Sequence, residues 1–204
     1  MSFPYYTKYE YKSYDEYISA QLSHELTKDR TKTRPFLQYI EEIKNNFSNA
    51  KKIICVGARD ISEVNALRIA GYDAIGIDLF SSNHDVIKIL DMHNLEENFE
   101  ENEFDIVYAC HSLEHSYDPE KVLNGFKKIS KIGAFIVLPF LKNEHLKDPI
   151  SFRFMKEYNA NLESMISLIE EDFEKLGCTC KVTDLKINPL QNNVDGYWIS
   201  LYWK

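Results

Sequence analysis

The chain has 204 residues, 44% of them hydrophobic and 27% charged, a balance that predicts one globular domain and excludes a disordered or fibrous chain. Its 24 basic and 32 acidic residues give a net charge of −8, which disfavours general binding to nucleic acid. No apolar stretch approaches the ~20 residues of a membrane helix, and the N-terminus lacks the apolar region of a signal peptide. We therefore expect a soluble, cytoplasmic protein that has no membrane partner and keeps its 4 cysteines reduced.

The N-terminal segment predicts two helices and is rich in tyrosine. Apolar residues recur at helical spacing over residues 14–22 and again over residues 36–47. Six of the 13 tyrosines lie within residues 1–17. Aromatic rings that carry hydroxyl groups suit a lid over a substrate cleft, and they equally suit an arm docked on an apolar surface. Both interpretations stay open at this point.

The middle of the chain alternates short apolar segments with amphipathic ones. Predicted strands cover residues 51–57, 73–78, 86–90, 103–110 and 133–139. Predicted helices cover residues 60–71 and 118–129, each of which opens with an aspartate at the capping position. Strands that alternate with helices predict a parallel sheet with helices on both faces and right-handed crossovers.

The C-terminal part predicts one long helix over residues 162–176 and then two strands, over residues 178–187 and 197–203. A turn-rich loop joins these strands, so we expect them to be antiparallel to each other. The fold class is therefore α/β, with a Rossmann-like, seven-stranded, mostly parallel sheet that ends in an antiparallel hairpin. We expect a single domain over residues 1–204, with an N-terminal segment (1–48), a cofactor-binding core (51–140) and a C-terminal helix and hairpin (141–204).

In open α/β sheets the ligand lies at the carboxyl ends of the strands, so the residues that follow each strand are the candidates for a binding site. After the first four strands these are Gly57, Ala58, Arg59, Asp78, Leu79, Asp91, Met92 and His111. Asp78 stands 21 residues beyond Gly57, which is the spacing of a carboxylate that accepts hydrogen bonds from both hydroxyls of a ribose. Asp91 is placed to accept a hydrogen bond from an adenine amino group.

The glycine content of the first loop separates two classes of cofactor. A pyrophosphate needs the pattern G-x-G-x-x-G, which lets the backbone close on the phosphates. Here the loop reads G-A-R-D-I-S, and the side chains of Arg59 and Ser62 obstruct that approach. A nicotinamide oxidoreductase is therefore disfavoured, whereas S-adenosylmethionine, which has no phosphate, stays compatible.

The stretch from Ile53 to Phe140 resembles the core of class I S-adenosylmethionine-dependent methyltransferases of the small-molecule branch. Its closest match is FDIVYACHSLEHSYDPEKVL, and the seven-stranded order is also that of the family. The resemblance implies S-adenosylmethionine as cofactor and methyl transfer to an oxygen or nitrogen of a small-molecule acceptor. A weaker likeness of SYDEYISAQ to members near surface-glycan pathways adds a glycan or sugar-type acceptor.

The resemblance also implies roles for single residues. Gly57 and Ala58 line the methionine portion, Asp78 with Leu79 holds the ribose, Asp91 and Met92 flank the adenine, and His111 lies near the amino-acid end. The family usually has G-x-G-x-G after its first strand, where this chain has G-A-R-D-I. This departure motivates the alternative of a catalytically degenerate cofactor-binding or scaffold protein of the same fold.

The histidines supply candidates for a general base and an alternative metal site. His111 and His145, the latter in the segment after the fifth strand, are candidates to deprotonate an acceptor hydroxyl. The pentapeptide from His111 to His115 has the H-x-x-E-H form of a zinc protease, but it directly follows a strand, and that chemistry needs a helix. A divalent ion at His111, Glu114 and His115 stays open, although we favour Glu114 and His115 as residues that fix the loop.

Two cysteines near the C-terminus raise the same question of metal binding. Cys178 and Cys180 stand two residues apart in a predicted strand, so their side chains point to one face of the sheet. We predict that both thiols pack into that face rather than bind a metal. The sequence predicts neither the acceptor nor the oligomeric state.

Overall fold

The structure is a computed structural model. It describes residues 11, 13–27, 36–80, 85–139, 174, 177–184 and 196–203. Apart from Glu174, the predicted helix over residues 162–176 lies outside the described residues, and so does His145.

The described residues form five helices and seven strands, and all of these elements except the short helix α4 follow the order that the sequence predicted. The helices are α1 (Tyr14–Thr27), α2 (Phe36–Asn46), α3 (Ile61–Ile69), α4 (Leu95–Asn98) and α5 (Pro119–Ile129). The strands are β1 (Lys52–Val56), β2 (Asp73–Asp78), β3 (Ile87–Ile89), β4 (Phe104–Cys110), β5 (Ser130–Pro139), β6 (Cys178–Asp184) and β7 (Gly196–Trp203). Across the described residues, every helix is too short or too polar to cross a membrane.

The strands form one seven-stranded sheet in the order β3-β2-β1-β4-β5-β7-β6. Strands β1 to β5 are mutually parallel, and β7 lies between β5 and β6 and is antiparallel to both. The Rossmann-like α/β fold, with its antiparallel C-terminal pair, is thus confirmed. The chain moves outward from β1 to β3 and then returns to β4 on the other side of β1. The switch in strand order therefore lies between β1 and β4, where ligands bind in sheets of this kind.

Helices cover both faces of the sheet because alternate residues of each strand point to opposite sides. In β1, Ile54 belongs to the buried cluster that contains α5, whereas its neighbour Ile53 belongs to the cluster that contains α2 and α3. Both side chains are 0% exposed. The central strand is therefore fixed from two sides, which gives the residues at its carboxyl end a rigid support.

Gly76 in β2 allows α3 and its preceding loop to lie directly against the sheet. A Cβ atom at Gly76 would stand 2.8 Å from Cβ of Ala58 and 3.0 Å from Cγ2 of Val64. At the start of α3, Asp60 accepts a hydrogen bond from the backbone N–H of Ser62 at 2.8 Å, which is the cap that the sequence predicted. The loop between β1 and α3 is therefore held close to the end of β2.

The C-terminal cysteines pack as predicted. Cys178 and Cys180 of β6 are both buried, and both belong to the core cluster that contains α5. All four cysteines are described, and all four are buried thiols outside any disulfide. Among the described residues, the structure shows no group of three or more histidine, cysteine, aspartate or glutamate residues that could hold a metal ion.

Candidate active site

A cleft opens at the carboxyl ends of β1, β2 and β4, and its volume is about 660 Å³ when the open solvent at its mouth is included. The sequence-predicted site residues that line it are Gly57, Arg59, Asp78, Leu79, Asp91, Met92 and His111. Ala58 is buried beneath the same loop, at 2% exposure. The structure thus brings together every predicted site residue that it describes, and it places Asp78 beside the Gly57 turn.

Gly57, in the loop that follows β1, packs closely against Ser112 in the loop that follows β4. Its φ is +74°, and a Cβ atom there would lie 2.5 Å from Cβ of Ser112. The Ser112 hydroxyl donates a hydrogen bond to the carbonyl of Val56 at 2.8 Å. The backbone N–H groups of Gly57 and Ala58 both donate to the carbonyl of Ile77 at 2.9 Å. A residue with a side chain cannot replace Gly57 without moving one of the two loops.

Asp78 presents its carboxylate to the cleft in a fixed orientation. Oδ2 accepts the backbone N–H of Arg59 and Oδ1 accepts the backbone N–H of Phe80, each at 3.0 Å. The carboxylate therefore connects the loop after β1 to the loop after β2. Carboxylate oxygens are acceptors, which is what the two hydroxyls of a ribose require.

Two residues beside the cleft have left-handed backbone conformations without being glycine. These are Arg59, with a φ of 50°, and His111, with a φ of 53°. Arg59 adopts the conformation that glycine takes most readily, and its N–H still reaches Asp78. The loop therefore keeps a tight turn although the glycine-rich pattern of the resembled family is absent.

Asp91 is joined to neighbouring residues more extensively than the sequence predicted. Oδ1 accepts the backbone N–H of His93 at 2.9 Å and contacts the His93 Nδ1 at 2.5 Å, while Oδ2 accepts the hydroxyl of Tyr14. Burial by itself raises the pKa of the Asp91 carboxyl, but the hydrogen bonds from His93 and Tyr14 outweigh it and hold this pKa below 3.8. Burial and Asp91 together raise the pKa of the Tyr14 hydroxyl, so Tyr14 remains a donor at neutral pH.

His93 fixes the cleft residue Asp91, and sequence reasoning missed it. Its Nε2 accepts the backbone N–H groups of Tyr117 and Asp118, both at 3.0 Å. An acceptor nitrogen carries no hydrogen, so we assign the proton of a neutral imidazole to Nδ1, which donates to Asp91. His93 is 6% exposed and links the loop after β3 to the start of α5. The only sequence signal was the Asp-x-His spacing after the third strand.

Helix α1 contributes the aromatic side of the cleft. The Tyr17 side chain is 2% exposed, and its ring centroid lies 5.4 Å from that of His93 and 6.0 Å from that of Tyr117. Gln21 donates a hydrogen bond from Nε2 to the carbonyl of His115 at 3.4 Å. Tyr17 and Gln21 both line the cleft, although the sequence had not assigned either of them to the site. The described part of the tyrosine-rich segment therefore lies against the cleft rather than on a remote surface.

The H-x-x-E-H segment is not an α-helix. Residues Leu113–His115 form a single 3-10 turn, in which the N–H of His115 bonds the carbonyl of Ser112 at 3.0 Å. The zinc-protease interpretation required both histidines on one helical face, so the local structure contradicts its premise. His111 and His115 both line the cleft, and the side chain of Glu114 lies outside what the structure describes.

Comparisons with known proteins agree with this geometry. A family model described as a methyltransferase domain matches residues 54–138. This match covers 85 of the 204 residues of the chain. No curated protein sequence matches the chain. The S-adenosylmethionine-dependent enzyme class and its cofactor, both predicted from the sequence, are confirmed through this domain and its fold.

Solved structures share the fold at low sequence identity. The 1,6-didemethyltoxoflavin-N1-methyltransferase of Burkholderia thailandensis has a TM-score of 0.65 at 11% identity, with 94% of this chain and 89% of that chain covered. The magnesium protoporphyrin IX methyltransferase of Synechocystis PCC 6803 has a TM-score of 0.54 at 10% identity, with 94% and 88% covered. Both were crystallised with S-adenosylhomocysteine bound. A methyltransferase of Archaeoglobus fulgidus has a TM-score of 0.51 at 15% identity, with 90% and 99% covered.

The residues of the cleft fit an adenosine-type cofactor. Gly57 lines the cleft, and its lack of a side chain lets the loop after β4 pack against the turn that follows β1. Asp78 supplies a fixed carboxylate, and Leu79 and Met92 supply apolar surface along the same cleft. A carboxylate beside apolar walls is the combination that a ribose joined to an adenine ring requires.

Proposed function

We propose that this methyltransferase moves a methyl group from S-adenosylmethionine to an oxygen or nitrogen of a small-molecule or sugar-type acceptor. The observation that carries the proposal is the position of Asp78 beside Gly57, on the cleft that His111 also lines. Tyr17 and Gln21 border the same cleft, which favours an acceptor small enough to enter a partly covered site. Neighbours that act on 1,6-didemethyltoxoflavin and magnesium protoporphyrin IX support a small-molecule acceptor.

In this proposal the carboxylate of Asp78 accepts the hydroxyls of the ribose, and its two backbone hydrogen bonds keep it in position. Gly57 and Ala58 border the methionine portion, and Arg59 contributes its backbone N–H, which orients Asp78. Leu79 packs beside the ribose. When bound, the cofactor supplies a sulfonium whose methyl group is already electrophilic, so the protein chiefly aligns the acceptor and excludes water.

Met92 and Asp91 are proposed to flank the adenine. The Oδ1 atom of Asp91 already accepts two hydrogen bonds from His93. The adenine amino group is therefore proposed to approach Oδ2, next to the Tyr14 hydroxyl. This places Asp91 between the cofactor and helix α1.

His111 is proposed to act as a general base where the acceptor is a hydroxyl. It follows β4 directly, and its backbone N–H is fixed to the carbonyl of Val137 at 2.9 Å. A positioned base contributes about 10²–10⁴-fold to such a step. His145, outside the described residues, remains a second candidate from the sequence.

The alternative is a catalytically degenerate protein of the same fold, suggested by Arg59 and Ile61 at positions where the resembled family has glycine. Calorimetric titration with S-adenosylhomocysteine separates the two functions. Saturable binding, followed by formation of S-adenosylhomocysteine from S-adenosylmethionine with members of a phenol, amine and sugar panel, supports the enzyme. No heat of binding at millimolar ligand supports the degenerate protein.

A further inference from the structure

One side-chain hydrogen bond attaches helix α1 to the adenine side of the cleft. The hydroxyl of Tyr14, in the first turn of α1, donates to Oδ2 of Asp91, which lies 77 residues further along the chain. Tyr14 is 45% exposed, so the core does not hold this side chain in place. The hydrogen bond to Asp91 therefore holds the Tyr14 side chain in a position that burial alone would not fix.

Asp91 is a firm anchor for this bond because His93 fixes its carboxylate. Both hydrogen bonds from His93 go to Oδ1, which leaves Oδ2 directed towards Tyr14. His93 is in turn fixed by the backbone N–H groups of Tyr117 and Asp118 at the start of α5. The anchor thus joins the loop after β3, the start of α5 and helix α1.

The same face of α1 lies along the cleft. Tyr14, Tyr17 and Gln21 are at positions i, i+3 and i+7 of one helix, so they share one face. Tyr17 and Gln21 line the cleft, and the rings of Tyr14 and Tyr17 lie 5.7 Å apart. The hydrogen bond of Tyr14 therefore holds the first turn of the helix whose next turns border the cleft.

We propose that Tyr14 is a positioning residue that holds α1 closed against the cleft through its hydrogen bond to Asp91, and that this closure slows the release of bound cofactor. The identity of the ligand rests on the proposed function, whereas the closure of α1 does not. Tyr14 acts through Asp91 and His93 and takes no part in the transfer itself.

Tyr14→Phe tests the proposal, since it removes the hydroxyl and keeps the ring. Without ligand, we expect faster amide hydrogen exchange over residues 14–27 and unchanged exchange over β1 and β4. With S-adenosylhomocysteine, we expect the dissociation rate from immobilised protein to rise roughly three- to tenfold, which is the range for the loss of one ordinary hydrogen bond. Tyr202→Phe is the matched control, because its hydroxyl donates to the carbonyl of Asn46 at 3.0 Å, away from the cleft.

Unchanged exchange over residues 14–27 in the Tyr14→Phe variant overturns the closure of α1, with or without ligand. Unchanged or slower release of S-adenosylhomocysteine from that variant overturns the effect on the cofactor. An equal increase in release for Tyr202→Phe also overturns it, because the effect would then be general. If the wild-type protein binds no S-adenosylhomocysteine at millimolar concentration, the proposed function fails, and hydrogen exchange alone decides whether α1 is held closed.

Discussion

Asp78 and Asp105 each accept two backbone N–H groups, but they lie at opposite ends of the parallel strands. Asp105 accepts the backbone N–H groups of Lys51 and Lys52 at 2.7 and 2.8 Å, at the amino end of β1. Asp78 accepts two backbone N–H groups at the carboxyl end of β2, and it lines the cleft. We propose that the end of the strands at which an aspartate lies, rather than the residue type or its hydrogen bonds, separates a structural carboxylate from one that binds a ligand.

The largest expected difference in ligand binding is between alanine substitutions at Gly57, at the carboxyl end of β1, and at Gly71, before the amino end of β2. Gly57→Ala places a Cβ atom 2.5 Å from Cβ of Ser112 at a φ of +74°, whereas Gly71, with a φ of +98°, has no atom within 4 Å of such a position. We expect Gly57→Ala to cost about 2–4 kcal/mol and to abolish measurable binding of S-adenosylhomocysteine. Gly71→Ala should cost about 1–2 kcal/mol and leave binding intact. Urea unfolding and calorimetry measure both, and equal effects on binding would contradict the distinction.

Asparagine substitutions at the two aspartates give the next largest difference. Asp78→Asn should weaken S-adenosylhomocysteine binding at least tenfold, because one acceptor oxygen becomes a donor that faces the ribose hydroxyls. Asp105→Asn should leave binding unchanged and lower the free energy of unfolding by about 1–2 kcal/mol, since hydrogen bonds to a partly exposed carboxylate are lost. Loss of binding in Asp105→Asn at a temperature where it is fully folded would count against the account.

The pH dependence of stability tests the structural role of the Asp105 carboxylate. Burial raises the pKa of the Asp105 carboxyl, but the backbone N–H groups of Lys52 and Lys51 and the charge of Lys131 outweigh it, so the pKa is lowered. Its stabilising effect is therefore complete above its ordinary pKa of 3.8 and is lost as the pH falls through the lower value in the folded protein. We expect the free energy of unfolding to decrease below about pH 4. In Asp105→Asn that decrease should be smaller, and an equal slope in both proteins would contradict the assignment.

Relief of strain at Arg59 gives the smallest expected effect. With a φ of 50°, Arg59→Gly should gain about 0.5–1 kcal/mol of stability, because glycine adopts this conformation without steric cost. If Arg59 acts through its backbone N–H to Asp78, binding of S-adenosylhomocysteine should change by less than about threefold, a difference near 0.6 kcal/mol. A tenfold loss of binding would show instead that the guanidinium contacts the ligand.

The general fold, and the site residues at the carboxyl ends of β1, β2 and β4, could be predicted because they depend on local patterns. Apolar runs that end at Gly57, Asp78 and His111 locate the strands, and parallel strands bring their carboxyl ends to one edge. The short helix α4 and the 3-10 turns escaped prediction because three or four residues show no periodicity.

The remaining site residues depend on contacts that no local pattern encodes. Tyr14 and Asp91 are 77 residues apart, and Gln21 and His115 are 94 apart, so their hydrogen bonds follow only from the packing of α1. The left-handed conformations of Arg59 and His111 could not be predicted either, because a positive φ is uncommon in any residue other than glycine. Such conformations occur where the surrounding structure imposes them, here at the two loops that border the cleft.

The most direct test of the central claim is a crystal structure of the protein with S-adenosylhomocysteine bound. We expect both ribose hydroxyls within about 2.7 Å of the Asp78 carboxylate, with the methionine portion against the Gly57 turn. A ligand bound elsewhere, or one whose ribose makes no contact with Asp78, would contradict the account.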